Sequence, residues 1–523
     1  MRSIFTLVLT FCFVMNVSAQ LDNDQASPKV STAKGDFQGT MESGIRVFRG
    51  IPFAKPPVGE LRWRAPQPTE PASELQMATG FGPRCMQRRI FDDMNFRSDG
   101  MSEDCLYLNV WTPARSAEEK LPVLVYFYGG GLFTGDGSEY RYDGENMARQ
   151  GIVALTVNYR LNVFGFLAHP ELTAEAEYNA SSNYGFLDQA MALQWIHDNI
   201  AAFGGDPDRI TIAGESAGSA SVSGQMVSPL SRHLLAGAIG SSGSLMGTLR
   251  AGPLNEQEEK GLAFAKDMNA ASLAELRALP AEEVLDATKN YGWTHFSAAI
   301  DGYFFPKTPE EIFAAGEQAQ VPLLLGWNSL EMNYRMMFGP REPTPDNYKE
   351  VLASAFGDHA ERVLAVYPGA TEAEVIASAN DLAGDQFTGF STWKWADMHS
   401  KTGGDNPVYR YMYARPRPAT ADGKTPAAEG AVHSAEIEYA MGNLSTNRVY
   451  DWQPEDYRVS EVFQAYYANF VKTGNPNGPG VPAWPMFNGE GPSQVMYIDA
   501  VTEVKPEQHA ERYRLLDELV GLE

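Results

Sequence analysis

Along the chain, short unbroken apolar runs alternate with segments whose apolar residues recur every three to four positions. Residues 121–128 (LPVLVYFY) and 152–158 (IVALTVN) are continuous and rich in β-branched and aromatic side chains, which predicts strands buried on both faces. Residues 188–203 place Leu193, Ile196, Ile200 and Phe203 on one face of a helix. Residues 209–213 form the next strand, and 236–240, 321–327 and 408–413 are further short apolar strands. A helix over 459–471, ended by Gly474, closes the series. Strands alternating with helices imply an α/β fold with a mostly parallel sheet covered on both faces. The Ala-, Glu- and Leu-rich stretch 255–291 is helical, and the insertion spanning residues 250–300 is expected to cap the sheet edge.

No repeat, low-complexity block or Pro/Ser-rich linker divides residues 20–523, so a single domain is expected there. Residues 1–19 have the anatomy of an export signal. Met1-Arg2 carries a positive charge, residues 4–14 are almost wholly apolar, and Val17-Ser18-Ala19 offers a small-residue cleavage site before Gln20. That apolar core is short for a bilayer span, and no later segment approaches the length required, so the expected location is the periplasm or the exterior. Cys12 falls in the signal, which leaves Cys85 and Cys105 as a pair that an oxidising compartment allows to bridge. A net charge of −25 excludes nucleic acid as a partner and disfavours anionic membranes. No C-x-x-C, H-E-x-x-H or EF-hand spacing occurs, so neither a metal nor a cofactor is expected.

The chemistry begins at Gly214-Glu215-Ser216-Ala217-Gly218, a G-x-S-x-G string between a strand and a small-residue helix. Alone the string is weak. A serine hydroxyl needs a general base, a group that orients the base, and donors for the oxyanion. Tyr128-Gly129-Gly130-Gly131 follows directly on the strand 121–128, and its backbone can pass close to a substrate. Gly130, Gly131 and Ala217 are therefore the candidate oxyanion donors. A phosphate loop is the competing reading; no Lys-Ser/Thr follows and the G-x-G-x-x-G spacing is absent. The chain order serine, acid, histidine leaves His359, His399, His433 and His509 as bases. His433 ranks first because it stands in a small-residue loop after the strand 408–413, although position alone does not decide. For the acid, Glu331 lies just past the strand 321–327. Glu215 is nearer, but neighbours on a tight turn point apart, so it reads as a buried support residue.

The chain resembles the type-B carboxylesterase/cholinesterase family of α/β-hydrolases across nearly all of residues 35–499. The matching segments include Phe48-Arg49-Gly50-Ile51-Pro52, Glu103-Asp104-Cys105-Leu106, Tyr128 to Gly131, Asn158-Tyr159-Arg160, Phe203-Gly204-Gly205-Asp206-Pro207 through Gly218, and Thr473-Gly474-Asn475-Pro476-Asn477. The resemblance implies a single α/β-hydrolase catalytic domain over 20–523. It also implies Ser216 as nucleophile, Glu331 as acid, His433 as base, an oxyanion hole at Gly130, Gly131 and Ala217, and a Cys85–Cys105 bridge. The activity implied is ester hydrolysis through an acyl-enzyme, with a small-molecule ester and water as the partners. An amidase or thioesterase with the same triad is the nearest alternative. A non-catalytic cholinesterase-like binding protein is a more distant one, because fold alone does not fix function.

Two departures bear on pocket shape. Leu330 and Met332 flank the acid where the family reads Asp and Gly, and Ser434 follows the base where glycine is common. Between Cys85 and Cys105 there is no tryptophan, so choline esters are not expected, and Phe91, Met94 and Phe96 suggest an apolar gorge lip. Residues 290–296 (NYGWTHF) precede Asp301-Gly302, where the family builds its acyl pocket. Tyr291, Trp293 and His295 alternate there as on an extended segment; if they line the pocket, short acyl groups are favoured.

Overall fold

The computed structural model describes residues 27–487 and 493–521; the export-signal segment and Cys12 lie outside the described residues. Eleven strands make the main sheet. In chain order they are β1 Thr40–Glu42, β2 Ile45–Pro52, β3 Tyr107–Thr112, β4 Leu121–Phe127, β5 Val153–Val157 and β6 Gly205–Glu215. Then come β7 Gly237–Ser241, β8 Leu323–Asn328, β9 Val408–Tyr413, β10 Gln494–Ile498 and β11 Glu503–Pro506. Across the sheet the order is β11-β10-β9-β8-β7-β6-β4-β5-β3-β2-β1. Every pair from β10 to β5 is parallel, and the pairs outside these are antiparallel. This is the α/β-hydrolase arrangement, a mostly parallel sheet between helices.

Covered faces explain the strand sequences. VALTV in β5 and LLLGWN in β8 are buried at every position, with no polar face to give alternation. Parallel neighbours cannot be joined by hairpins, so helices cross over: Tyr184–Asn199 leads into β6 and Ala217–Val227 leads out of it. The first of these begins four residues before the pattern predicts, and residues 200–203 tighten into a 3₁₀ turn. It is buried on nearly every side, even at Asp188, which the Arg160 guanidinium meets at 2.7 and 2.8 Å. The apolar stripe was thus only part of a wider buried surface. β6 likewise outruns its apolar centre, because it pairs with β4 already at Gly205, and a bulge carries the polar Asp206 to Arg209 before pairing resumes at Ile210. The closing helix runs Pro454–Thr473, entered through Pro454 and ended at Gly474 with φ 72°.

β4 has β5 on one side and β6 on the other, so the chain changes direction across the sheet at β4. In such sheets the crevice at the carboxyl ends beside the switch is where ligands bind. Two segments emerge there: the glycine run after β4 and the Ser216 turn after β6.

The insertion forms three helices, Leu254–Asp267, Leu273–Ala278 and Ala281–Ala287. Residues 290–296 are not extended. A turn closed by His295 N–H on Gly292 O (3.1 Å) breaks the alternation, so the three rings do not share a face. Among the described residues, no helix is long and apolar enough to cross a membrane.

Candidate active site

Ser216 occupies a backbone position that side chains rarely adopt, φ 56° and ψ −122°, between the last residue of β6 and the helix Ala217–Val227. Strain of this kind costs on the order of 1–3 kcal/mol and persists where its surroundings fix it. Here Ser216 N–H donates to Ser241 O (2.8 Å) and Ser216 O accepts from Ala220 N–H (2.9 Å). The two flanking glycines answer to close packing. A Cβ on Gly214 would lie 2.4 Å from the Gly218 carbonyl, and one on Gly218 would lie 2.1 Å from Phe127 O. The motif's glycines let the helix return over β4 and β6, and Ser216 is left at the apex.

The glycine run packs on this turn: a Cβ on Gly129 would meet Glu215 O at 2.7 Å and Ser216 Cβ at 3.1 Å. Gly130 and Gly131 have φ 109° and 67°, open only to glycine at little cost. Ala217 opens its helix, so its N–H belongs to the first turn, whose donors have no intrahelical acceptor.

Glu331 and His433 lie on loops that leave the adjacent strands β8 and β9 and stay zipped together. Leu330 N–H donates to Ala431 O (2.8 Å), and Leu330 bridges Val432 in parallel register. One residue further along each loop, His433 Nδ1 is 2.5 Å from Glu331 Oε2. Glu331 Oε1 accepts from Ser242 Oγ (2.5 Å) and Asn328 N–H (2.6 Å), so both carboxylate oxygens are used and the group is buried. Leu330 also packs on Gly430, whose added Cβ would come within 3.0 Å of it. Ser434 has φ 66°. Two buried arginines hold it there, Arg141 Nη1 donating to its hydroxyl (3.2 Å) and Arg417 Nη2 to its carbonyl (2.8 Å).

The ring's other nitrogen, Nε2, is 3.2 Å from Glu215 Oε1, off hydrogen-bond alignment. Among the described residues no hydrogen bond joins Ser216 Oγ to the ring, whose bonded partner is Glu331 at Nδ1. Phe387 meets the imidazole edge to face at 4.9 Å, and 25 % of the His433 side-chain surface stays open. Burial pushes the imidazole pKa down, but the charges of Glu215 and Glu331 and the Glu331 hydrogen bond outweigh it and raise it to about 9. Burial raises Glu215 to about 8 against the pull of His433. Glu436 is raised to about 7 by burial and by Glu331, although Asn328 Nδ2 donates to it at 2.6 Å. The ring therefore sits among three carboxylates, of which only Glu331 is fully hydrogen-bonded. Sequence reasoning missed Ser242, Asn328 and Glu436 as partners of this cluster. No local signal marks them, since they meet only through the order of β7, β8 and β9.

The other three histidines weighed as bases stand apart from Ser216. His399 is buried with Nε2 on Val321 O (2.9 Å), His359 lies in a turn before the helix Ala360–Val366, and His509 precedes the helix Ala510–Val520.

Cys85 and Cys105 are bridged (S–S 2.08 Å). A closed loop of this size contributes roughly 3 kcal/mol by chain entropy. Arg62 forks onto Glu103 at the base of the same loop, with two bonds of 2.6 Å. Of the three residues expected at the lip, only Phe91 reaches it. Met94 is buried, and Phe96 lies under the Arg84 guanidinium. Phe91 and Phe133 both touch Trp293, with ring centroids 5.7 Å away, and Trp293 leans over Gly131 with 54 % of its surface exposed. Tyr291 and His295 turn the other way. They meet at 4.2 Å with their rings tilted and pack on Phe296, and the Tyr291 hydroxyl donates to Asp267 (2.6 Å). A cavity of about 530 Å³ opens from Gly131 and Trp293, without Tyr291 or His295 in its wall. Among the described residues no group of three or more His, Cys, Asp or Glu side chains is arranged to hold a metal.

The profile of the carboxylesterase family matches residues 26–516. The medium-chain fatty acyl-CoA hydrolase precursor of Anas platyrhynchos is 35 % identical over 93 % of this chain and 91 % of its own. The fumonisin B1 esterase of Sphingopyxis macrogoltabida is 33 % identical over 91 % of this chain and 87 % of its own. Among solved structures, a PNB esterase superposes with a TM-score of 0.78 at 31 % identity, covering 94 % of this chain and all of that one (100 %).

Proposed function

This chain belongs to the carboxylesterase family, as a hydrolase acting on esters, and from that premise we propose that Ser216 is its nucleophile, His433 the general base and Glu331 the acid that orients it. Ser216 Oγ attacks the ester carbonyl as His433 Nε2 takes its proton. The oxyanion is held by the N–H groups of Gly130, Gly131 and Ala217. His433 then gives the proton to the departing alcohol. A water, deprotonated by the same ring, releases the acid from Ser216. Glu331 keeps Nδ1 protonated throughout and stabilises the imidazolium. The observation that carries this reading is the zipped pair of loops delivering a Glu331–His433 hydrogen bond (2.5 Å) beside the turn at Ser216.

The test is covalent. A p-nitrophenyl phosphonate ester loses p-nitrophenolate to wild-type enzyme and leaves its phosphorus on Ser216 Oγ, located by peptide mass mapping. A stoichiometric adduct on any other residue overturns the assignment.

Electrostatics add a second check. With the imidazole pKa raised, the ring carries a proton below about 9 and cannot accept one from Ser216. The value of kcat/KM therefore rises with pH, with its midpoint alkaline of an ordinary histidine's. Glu215→Gln removes one of the charges that favours imidazolium. The acidic limb of the profile is expected to move to lower pH. A limb that stays put, measured under matched ionic strength, would show that Glu215 does not hold the ring's charge.

The finer placement is likewise our reading. The motif run supports a type-B, cholinesterase-like member, and the anatomy of residues 1–19 supports export of a bacterial enzyme with one catalytic domain from residue 20. Thioesters are the second substrate reading, favoured by the acyl-CoA hydrolase among the relatives. Matched esters, thioesters and anilides of one acyl group separate the three chemistries.

A further inference from the structure

The cavity that starts at Gly131 reaches as far as residues 516–520. It passes the loop 247–250, where Thr248 Oγ1 donates to Phe387 O (3.1 Å), beside the ring that rests on His433. Beyond that loop its wall includes Gln386 as well as Phe356, Phe390, Leu516, Leu519 and Val520. The ionisable side chains of the lining, Arg250, Glu256 and Lys260, all come from one stretch of the insertion; none comes from residues 355–390 or 516–520. At about 530 Å³ the space is that of a small-molecule site, and in its arm on the side of the C-terminal helix the wall is apolar but for the amide of Gln386.

The C-terminal helix Ala510–Val520 supplies the end wall, and it is tied in place from outside. Asp517 pairs with Lys394 (2.6 Å), Arg512 with Asp381 (2.8 Å) and Glu518 with Arg362. On the inner side Tyr513 is held by Trp327, edge-on at 5.5 Å, and Trp393, stacked at 5.6 Å. Leu519 and Val520 are only half-buried, facing the cavity, and lie past residue 516, where the family match ends. Half-buried aliphatic side chains on a fixed helix gain from a hydrocarbon neighbour that removes them from water.

We infer that this arm of the cavity takes an extended hydrocarbon chain of the ester, and that Leu519 and Val520 set how long that chain can be. The inference rests on Ser216 being the nucleophile, since the cavity opens at Gly131 of its proposed oxyanion loop. It departs from the short-acyl expectation attached to residues 290–296, two of whose rings face the insertion instead. Each methylene that enters such an arm is worth roughly a fourfold gain in kcat/KM, so the gain stops where the chain meets the helix.

The experiment measures kcat/KM for p-nitrophenyl alkanoates from acetyl to tetradecanoyl and for alkyl acetates of the same lengths. Wild type is compared with Leu519→Trp and Val520→Phe, which fill the arm. Arg514→Trp, at an exposed position of the same helix, is the control. The expected result is a long-to-short ratio lowered about tenfold or more by both filling variants in at least one series, and unchanged by the control. Thermal melts establish that each variant is folded. Parallel profiles in both series for two folded filling variants overturn the inference. That outcome differs from failure of the underlying reading, in which Ser216→Ala would still turn over the acetyl ester.

Discussion

Ser216→Ala is expected to lower kcat/KM for a short p-nitrophenyl ester by about four to six orders of magnitude, with no loss of thermal stability. The size follows from what remains. Without Oγ there is no covalent route, and the glycine donors and the pocket can only assist attack by water. Stability should hold because the backbone bonds that fix the turn, Ser216 N–H to Ser241 O and Ala220 N–H to Ser216 O, involve no side-chain atom. A folded Ser216→Ala protein that keeps even a hundredth of the wild-type rate would place the nucleophile elsewhere.

Glu331→Gln should lower kcat by about three to four orders of magnitude with little change in KM. The carboxylate is asked for an acceptor at both oxygens: Asn328 N–H points at Oε1 and His433 Nδ1 faces Oε2. An amide has only one acceptor end. If its oxygen stays with Asn328, its NH₂ faces Nδ1 and draws out the tautomer protonated on Nε2, which cannot take a proton from Ser216. If it turns round, two donors collide at Asn328. Either way the imidazolium loses the carboxylate hydrogen-bonded to Nδ1, one of the charges that stabilise it. A rate near that of wild type would remove Glu331 as the acid and make Glu215 the next residue to test.

The strands were legible because each is buried on both faces and so reads as an unbroken apolar run, as in residues 121–128. The turn at Ser216 was legible because close packing demands glycine at 214 and 218, and glycine leaves a visible mark. The proposed acid, Glu331, was not legible in this way. Its place just past the strand 321–327 put Glu331 forward without deciding for it; the resemblance did that, and its hydrogen bonds to Ser242 and His433 exist only once β7, β8 and β9 lie side by side. Residues 290–296 were misread for the opposite reason. Alternating rings imitate a strand, but Gly292 permits the turn that sends Tyr291 and His295 into the insertion and leaves Trp293 alone at the mouth. Met94 and Phe96 show the same limit: an apolar side chain in a loop reports that something is covered, not which surface it covers.

The loop closed by Cys85 and Cys105 has its base fixed twice, by the covalent bridge and by the Arg62–Glu103 pair, while its tip meets the catalytic mouth through Phe91 on Trp293. Sheet register is set outside it, in β2 and β3. In evolutionary terms it is a cassette. Substitutions at residue 91 can reshape which esters enter without disturbing the order of the strands, whereas Asp93, two residues on, meets Arg141 (3.3 Å) and so joins the loop to the residues around His433; drift in substrate choice is open at the one position and constrained at the other.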